Sequence, residues 1–236
     1  MALDSMQEIF DKAAAGNIPF WRVVLETDME QRQVTEEQSM EKMRTTWRAM
    51  LESVTAYQGA ERSRSGLVGG DGEKMRQYAE DGGGLCGAYL REAVATALCV
   101  GESNACMRKI VAAPTAGACG VLPAVLLPLC RYEELSQHQL LEALYVVTPL
   151  YRAGMVSEEQ ILQALYTASG IGAVIGYRAC IAGAAGGCQA EIGTASAMAA
   201  GALVSIQGGT AAQIGHAAAM ALKNLLGLVC DPVAGL

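Results

Sequence analysis

The sequence predicts an all-α fold, a compact bundle of Ala/Gly-rich helices, for this chain of 236 residues. Alanine and glycine together fill about 28% of the positions and aromatic residues only 5%, and small side chains let helices approach one another closely. Apolar residues recur at helical spacing, and helix-start patterns precede several apolar stretches. The alternation of apolar and polar residues that is typical of strands and hairpins is missing.

The helix signal is clearest between residues 40 and 54. Apolar residues recur there every three or four positions, which places them on one face of a helix. This stripe comprises Met40, Met43, Trp47, Met50, Leu51 and Val54. Helix starts are predicted by four capping-box patterns, in which a hydroxyl and a Gln side chain three residues later satisfy free backbone N–H groups. The four patterns are Thr35/Gln38, Ser136/Gln139, Ser157/Gln160 and Thr210/Gln213.

Charge is distributed unevenly along what we interpret as a single domain, residues 1–236. Residues 1–60 carry 16 of the 41 charged side chains, which predicts a more charged outer helical layer. Residues 180–236 carry only three, which predicts the interior. Between these regions, the Gly-rich segments 66–75 and 81–87 are predicted to be loops.

Composition excludes several classes of protein. With 52% hydrophobic and 17% charged residues the chain is not disordered, and a net charge of −7 without a basic run argues against nucleic acid as a partner. The uncharged runs 110–130 and 192–222 are interrupted by prolines or polar residues and lack aromatic anchors, so we interpret them as buried core rather than membrane spans. The amino end does not resemble a signal peptide, so we expect a cytoplasmic protein with reduced cysteines.

Seven of the eight cysteines fall into two groups. Five lie in surroundings typical of small core residues, namely Cys86, Cys99, Cys106, Cys130 and Cys180. Cys188 differs because it follows two glycines where a helix can begin, and Cys230 differs because it precedes Asp-Pro, where a helix must stop. A thiol at a helix end can project freely and meet backbone N–H groups. From these surroundings alone, a ligand role and a structural role for the pair are equally open.

The segment APTAGACG, residues 113–120, has the composition of an anion-binding turn. Pro114 fixes its entry, Thr115 can cap it, and Gly117 and Gly120 let backbone amides approach a carboxylate or phosphate. A tight connection between packed helices explains the same residues equally well.

Histidines are scarce, with two in the chain. His138 lies at the predicted solvated start of a helix, and His216 lies in an Ala-rich stretch, where we interpret it as a core residue rather than a base. The sequence contains no GxSxG, P-loop, HExxH or dinucleotide-binding pattern. A serine hydrolase, a kinase and a zinc protease are therefore poorly supported.

Three separated segments resemble one known family. They are KIVAAPTAGACGVLP, GGCQAEIGTASAMAA and ALKNLLGLVCDPVAGL. All three closely resemble the α chain of the bacterial iron–sulfur-dependent L-serine dehydratases (L-serine ammonia-lyases). The resemblance extends from about residue 60 to the C-terminus and is looser before it.

The resemblance implies a [4Fe–4S] cluster held by three cysteines, two of which are Cys188 and Cys230 here, whereas Cys119 is not a ligand. The third is expected in a VPC-type segment beyond Leu236, so the chain resembles a C-terminally truncated member of the family. A cluster held by three thiolates has one iron without a protein ligand. That iron can act as a Lewis acid on the hydroxyl of L-serine while a base takes the Cα proton. The products are pyruvate and ammonia.

The family also implies a partner. Its catalytic base is expected from a β chain or β domain, so we expect an oligomeric α–β enzyme and no activity from this chain alone.

Thr115, Ala116 and Gly117 are expected to hold the carboxylate of serine, with Asn104 as a nearby polar contact. We interpret Lys74 as an exposed loop residue rather than a cation for the substrate.

Two other functions are open at this point. One is a related lyase that uses the same cluster on another β-substituted amino acid, for example in cysteine desulfidation. The other is a non-catalytic helical assembly subunit whose cysteines belong to the core. Ammonia release from different amino acids distinguishes the first alternative, and thiol accessibility the second.

Overall fold

The computed structural model describes residues 3–82, 86–131 and 156–228. It confirms the all-α prediction, since every regular element in these ranges is helical. The described helices are α1 (Met6–Gly16), α2 (Phe20–Arg32), α3 (Glu36–Thr55), α4 (Asp71–Glu80), α5 (Ala88–Ala105), α6 (Val121–Arg131), α7 (Glu158–Arg178), α8 (Gly183–Gly186), α9 (Cys188–Ile206) and α10 (Ala211–Asn224). A turn of 3₁₀ helix, Ala116–Ala118, lies between α5 and α6.

Three predicted capping boxes are confirmed. The hydroxyl of Thr35 accepts a hydrogen bond from the N–H three residues later, and the Gln side chain there accepts one from the N–H of Thr35. The same reciprocal pair begins α7 at Ser157 and α10 at Thr210. The pattern at Ser136 lies outside the described residues. Each cap contributes about 1 kcal/mol to the stability of its helix.

The apolar stripe of α3 faces the core, as predicted. Trp47 and Met50 are buried, and the partly buried Met40, Met43 and Leu51 pack against the same core.

The helices of residues 1–60 each have a buried and a charged face. Phe20 and Leu25 of α2 are enclosed in the core, whereas Arg22 on the same helix forms an ion pair with Glu36 of α3. Such exposed pairs contribute at most about 1 kcal/mol. Burial of the apolar face therefore holds these helices in place.

Helix α9 lies at the centre of the bundle and packs against α7 and α10. Glycines allow this close approach at two points. A methyl group added at Gly201 of α9 would overlap Cδ1 of Ile171, and one added at Gly172 of α7 would lie 2.9 Å from Sδ of Met198. The small-residue core inferred from composition is thus located mainly between α7 and α9.

The first Gly-rich segment, 66–75, is only partly a loop. Helix α4 begins at Asp71, so the prediction was wrong for the second half of the segment. Gly70 is the N-cap residue of α4 and has φ of 86°. As a glycine it has no side chain that could cap the helix. Instead, the carboxylate of Glu102 on α5 accepts hydrogen bonds from the N–H groups of Gly70 at 3.0 Å and Asp71 at 2.8 Å. The other segment, 81–87, contains no regular element at its described positions.

Within the described ranges, no helix has the combined length and apolar character that a membrane crossing requires. Both uncharged runs instead contribute to the core, where Leu126 of α6 and Ala195 of α9 are inaccessible to solvent.

Candidate functional site

The predicted anion-binding turn packs against both α5 and α9. Residues Ala116–Ala118 form its 3₁₀ turn, in which the N–H of Cys119 donates to the carbonyl oxygen of Ala116 at 3.2 Å. From α5, Nδ2 of Asn104 donates to that same carbonyl oxygen at 3.1 Å. The structure therefore brings Asn104 to the turn and gives it a role in holding the turn's backbone.

Thr115 lies at the start of this turn. It forms no side-chain cap, contrary to the expectation from the sequence. Its Oγ1 is buried and has no hydrogen-bond partner among the described residues. Leaving a buried hydroxyl unpaired costs about 1–3 kcal/mol, so this atom is a favourable contact for a polar ligand. The neighbouring Ala116 and Gly117 are exposed.

Cys188 is the first residue of α9, as its position after two glycines predicts. Gly187 precedes it with φ of 81° and ψ of 159°, a conformation that glycine adopts readily and other residues do not. The side chain of Cys188 is exposed and its thiol is free. Cys230, the other expected ligand, lies outside the described residues. Residues 3–82, 86–131 and 156–228 contain no group of three Cys, His, Asp or Glu side chains that could hold a metal ion.

Glu191 joins the turn to α9 and was not singled out from the sequence. It follows Cys188 by one helical turn, so the two side chains lie on the same side of α9. A methyl group at Gly117 would overlap its Oε2, and one at Gly183 would lie 2.7 Å from that atom. The carboxylate thus occupies the space between the turn and α8. In the sequence, the one sign of a role for Glu191 is its position as the acidic residue within GGCQAE.

We call this arrangement the turn site. It consists of Asn104, Thr115–Ala118, Cys188 and Glu191. It combines a hydroxyl that has no partner among the described residues, the backbone amides of the exposed Ala116 and Gly117, a free thiol and a carboxylate.

The cysteines predicted to be core residues differ in burial. Cys99 is buried as predicted, and burial raises the pKa of its thiol to about 11. Cys86 and Cys180 are exposed, so the prediction was wrong for both. Each of them lies in a connection outside the helices, which the composition of the neighbouring residues does not reveal. The two with intermediate exposure are Cys106 and Cys130.

Cys119, next to the turn, faces the interior. It is 2% exposed, and its Sγ lies 3.9 Å from the carbonyl oxygen of Val100. Burial raises the pKa of this thiol, which disfavours the thiolate form that binds iron.

The remaining candidates lie away from the turn site. His216 is exposed on α10, so its interpretation as a core residue was wrong, because that helix buries a narrow face that includes Ile214 and Ala218. His138 lies outside the described residues. Lys74 is exposed as predicted, but it belongs to α4 rather than to a loop and pairs with Asp71 at 2.8 Å.

Comparison with known proteins gives consistent matches. The family model described as serine dehydratase alpha chain matches residues 15–236. The chain is 37% identical over 232 residues to a probable L-serine dehydratase alpha chain of Bacillus subtilis strain 168, covering 98% of this chain and 70% of that protein. It is also 37% identical over 235 residues to the L-serine dehydratase alpha chain of Peptoniphilus asaccharolyticus, covering 99% and 73% respectively.

A more partial match concerns a longer protein. L-serine dehydratase 2 of Escherichia coli K12 is 39% identical over 140 residues, which cover 59% of this chain and 26% of that enzyme.

Proposed function

Because the chain belongs to the serine dehydratase alpha chain family, we propose that it works as the α chain of an iron–sulfur-dependent L-serine dehydratase, which converts L-serine to pyruvate and ammonia. The contact between the turn and the first helical turn of α9 supports this proposal most directly, because Gly117 of the turn lies against Glu191, one helical turn after the exposed Cys188. We also propose a cytoplasmic location, where exposed thiols stay reduced.

The turn supplies the groups that bind the substrate carboxylate. Thr115 Oγ1 is a buried donor that has no hydrogen-bond partner among the described residues. Within those residues, the N–H groups of Ala116 and Gly117 donate to no backbone carbonyl oxygen. Donors of this kind are shared readily with a carboxylate, and hydrogen bonds to an ionised group are the stronger ones. Asn104 acts through the turn, since its hydrogen bond to the carbonyl oxygen of Ala116 orients the peptide group that also carries the N–H of Gly117.

Cys188 is suited to hold a [4Fe–4S] cluster. It is exposed, begins a helix of 19 residues and follows a glycine whose missing side chain leaves the approach open. We propose Cys230 as the second ligand and a third cysteine from outside residues 1–236. When bound, such a cluster supplies an iron that acts as a Lewis acid on the departing hydroxyl group.

We propose that the base that removes the Cα proton comes from a β chain. The histidine within the described part of the chain, His216, is exposed on α10 and is not a component of the turn site. General acid–base catalysis contributes about 10²- to 10⁴-fold to a rate. The α chain alone is therefore expected to show no measurable turnover.

The test is pyruvate formation from L-serine under anaerobic conditions, after reconstitution with iron and sulfide, with and without the β chain. We expect turnover by the α–β complex and none by either chain alone. Turnover by the α chain alone at the rate of the complex would show that the base has been assigned to the wrong chain.

The same assay with other substrates decides between related functions. Release of ammonia from L-cysteine but not from L-serine or L-threonine would identify a different lyase. No turnover of any of these amino acids by the reconstituted complex would favour a non-catalytic assembly subunit.

A further inference from the structure

We propose that Glu191 binds the ammonium group of the substrate and thereby restricts the turn site to α-amino acids. This proposal rests on the function proposed above and adds a substrate-binding residue to it. Neither the turn nor Cys188 could select an amino acid over another small carboxylate, because both interact with other parts of the substrate.

The position of the Glu191 carboxylate is the first observation. Its Oε2 lies against the Cα positions of Gly117, in the turn, and Gly183, at the start of α8. Any side chain at Gly117 would overlap this oxygen, and a methyl group at Gly183 would lie 2.7 Å from it. Two segments that are far apart in sequence therefore both have a glycine where the carboxylate lies.

The surroundings of the Glu191 carboxylate give the second observation. Glu191 is partly buried, yet no hydrogen bond or ion pair involves its carboxylate within the described ranges. Other acidic residues of the chain differ, since Glu36 pairs with Arg22 and Glu52 pairs with Lys109. A partly buried carboxylate that is left unpaired costs free energy. A cationic group of a ligand would recover that free energy.

The neighbouring turn identifies the kind of cation. An isolated carboxylate beside an anion-binding turn would repel a simple anion through like-charge repulsion at short range. An α-amino acid carries a carboxylate and an ammonium group on the same carbon. It can therefore place its carboxylate on Thr115 and the turn amides while its ammonium group lies against Glu191. A hydroxy acid or a fatty acid has a carboxylate for the turn but no ammonium group for Glu191.

The test uses Glu191→Gln in the α–β enzyme, because this variant keeps the size of the side chain and removes its charge. We expect KM for L-serine to rise about 10- to 100-fold, the value of one charged hydrogen bond, with kcat changed by less than about threefold. The inhibition constant of L-alanine, which has an ammonium group but no leaving group, should rise by the same factor. That of propionate, which lacks the ammonium group, should stay the same or fall, because the variant removes the like-charge repulsion.

Two further variants serve as controls. Glu37→Gln removes the same charge from an exposed position of α3 and should leave all four constants unchanged. Glu191→Asp retains the charge and should show a smaller rise in KM than Glu191→Gln. Circular dichroism spectra establish that each variant keeps its helical fold.

Three outcomes would overturn the proposal. A fall in kcat at unchanged KM would assign a proton-transfer role to Glu191. An equal rise in the inhibition constants of L-alanine and propionate would indicate that the turn itself is damaged. Unchanged constants would show that Glu191 does not contact the substrate.

Failure of the proposed function would be visible separately. A wild-type complex that forms no pyruvate from L-serine contradicts that function by itself. Calorimetric binding of L-alanine and propionate to the wild-type and Glu191→Gln complexes would then still decide the ammonium-binding assignment. Selective loss of L-alanine binding would support it, and equal binding of L-alanine to both complexes would overturn it.

Discussion

Tyr57 donates a 2.5 Å hydrogen bond to the buried carboxylate of Glu102, 45 residues further along the chain. The tyrosine oxygen in turn accepts a hydrogen bond from the N–H of Glu73 at 3.1 Å. Burial raises the pKa of Tyr57, and the hydrogen bond to Glu102 raises it further, so the phenol remains a donor near neutral pH. This pair ties the end of α3 to the start of α4 and to α5, the helix that also carries Asn104.

Replacing Tyr57 with phenylalanine should destabilise the protein. The variant Tyr57→Phe removes one donor to a buried carboxylate and one acceptor for a backbone N–H, which should cost about 1.5–3 kcal/mol in the free energy of unfolding. Urea denaturation measures the change. Tyr78→Phe is the matched control, since Tyr78 on α4 is 44% exposed and should change the stability by less than about 0.5 kcal/mol. Equal effects of the two variants would show that the pair contributes nothing specific.

A methyl group at Gly183 should impair substrate binding without unfolding the chain. In Gly183→Ala the new carbon would lie 2.7 Å from Oε2 of Glu191, so the carboxylate must move. We expect KM for L-serine to rise about 3- to 30-fold with little change in kcat, measured as pyruvate formation by the α–β enzyme. Gly101→Ala on α5 adds a methyl group with nothing within 4 Å and should leave KM unchanged. An unchanged KM in Gly183→Ala would contradict the position assigned to the Glu191 side chain.

Cysteine labelling should follow exposure. Cys86, Cys180 and Cys188 are exposed and should react with iodoacetamide within minutes at pH 8. Cys99 should resist in the folded chain because it is buried and its thiol pKa is raised to about 11. Cys119 should also resist, because it is buried and burial raises the pKa of its thiol. Mass spectrometry of tryptic peptides from the apo protein identifies the modified residues. Protection of Cys188 in the absence of metal would favour a structural role for that thiol.

Iron binding should depend on Cys188. In the reconstituted α–β complex, Cys188→Ser should lower the iron content and the absorbance of the thiolate-to-iron band to less than about a tenth of the wild-type values, because fewer thiolates hold a cluster less securely. Cys180→Ser changes another exposed thiol and should retain both signals. If both variants keep the full iron content, the ligand assignment fails.

Local sequence signals predicted part of this fold reliably. The capping boxes at Thr35, Ser157 and Thr210 and the start of α9 at Cys188 depend on residues within three or four positions, and all four are present in the structure. The start of α4 was missed because its cap is the carboxylate of Glu102, 31 residues beyond Asp71. No local pattern could indicate that contact.

The turn site was predicted only in part for a similar reason. Asn104 and the turn were proposed together from the family resemblance, whereas Glu191 becomes notable only when α9 lies beside Gly117 and Gly183. The exposure of His216 likewise depends on α10 packing through one face, which its Ala-rich sequence does not specify.

The glycine contact between Gly201 and Ile171 has a consequence for hydrogen exchange. Close packing of α7 and α9 ties the buried parts of both helices together, so the hydrogen-bonded amides there should exchange through global unfolding. The four residues of α8 include none that is buried and should exchange through local opening. Cys188 lies between the slowly exchanging bundle and the four residues of α8. A bound group could therefore enter or leave at this end of α9 while the rest of the bundle stays folded.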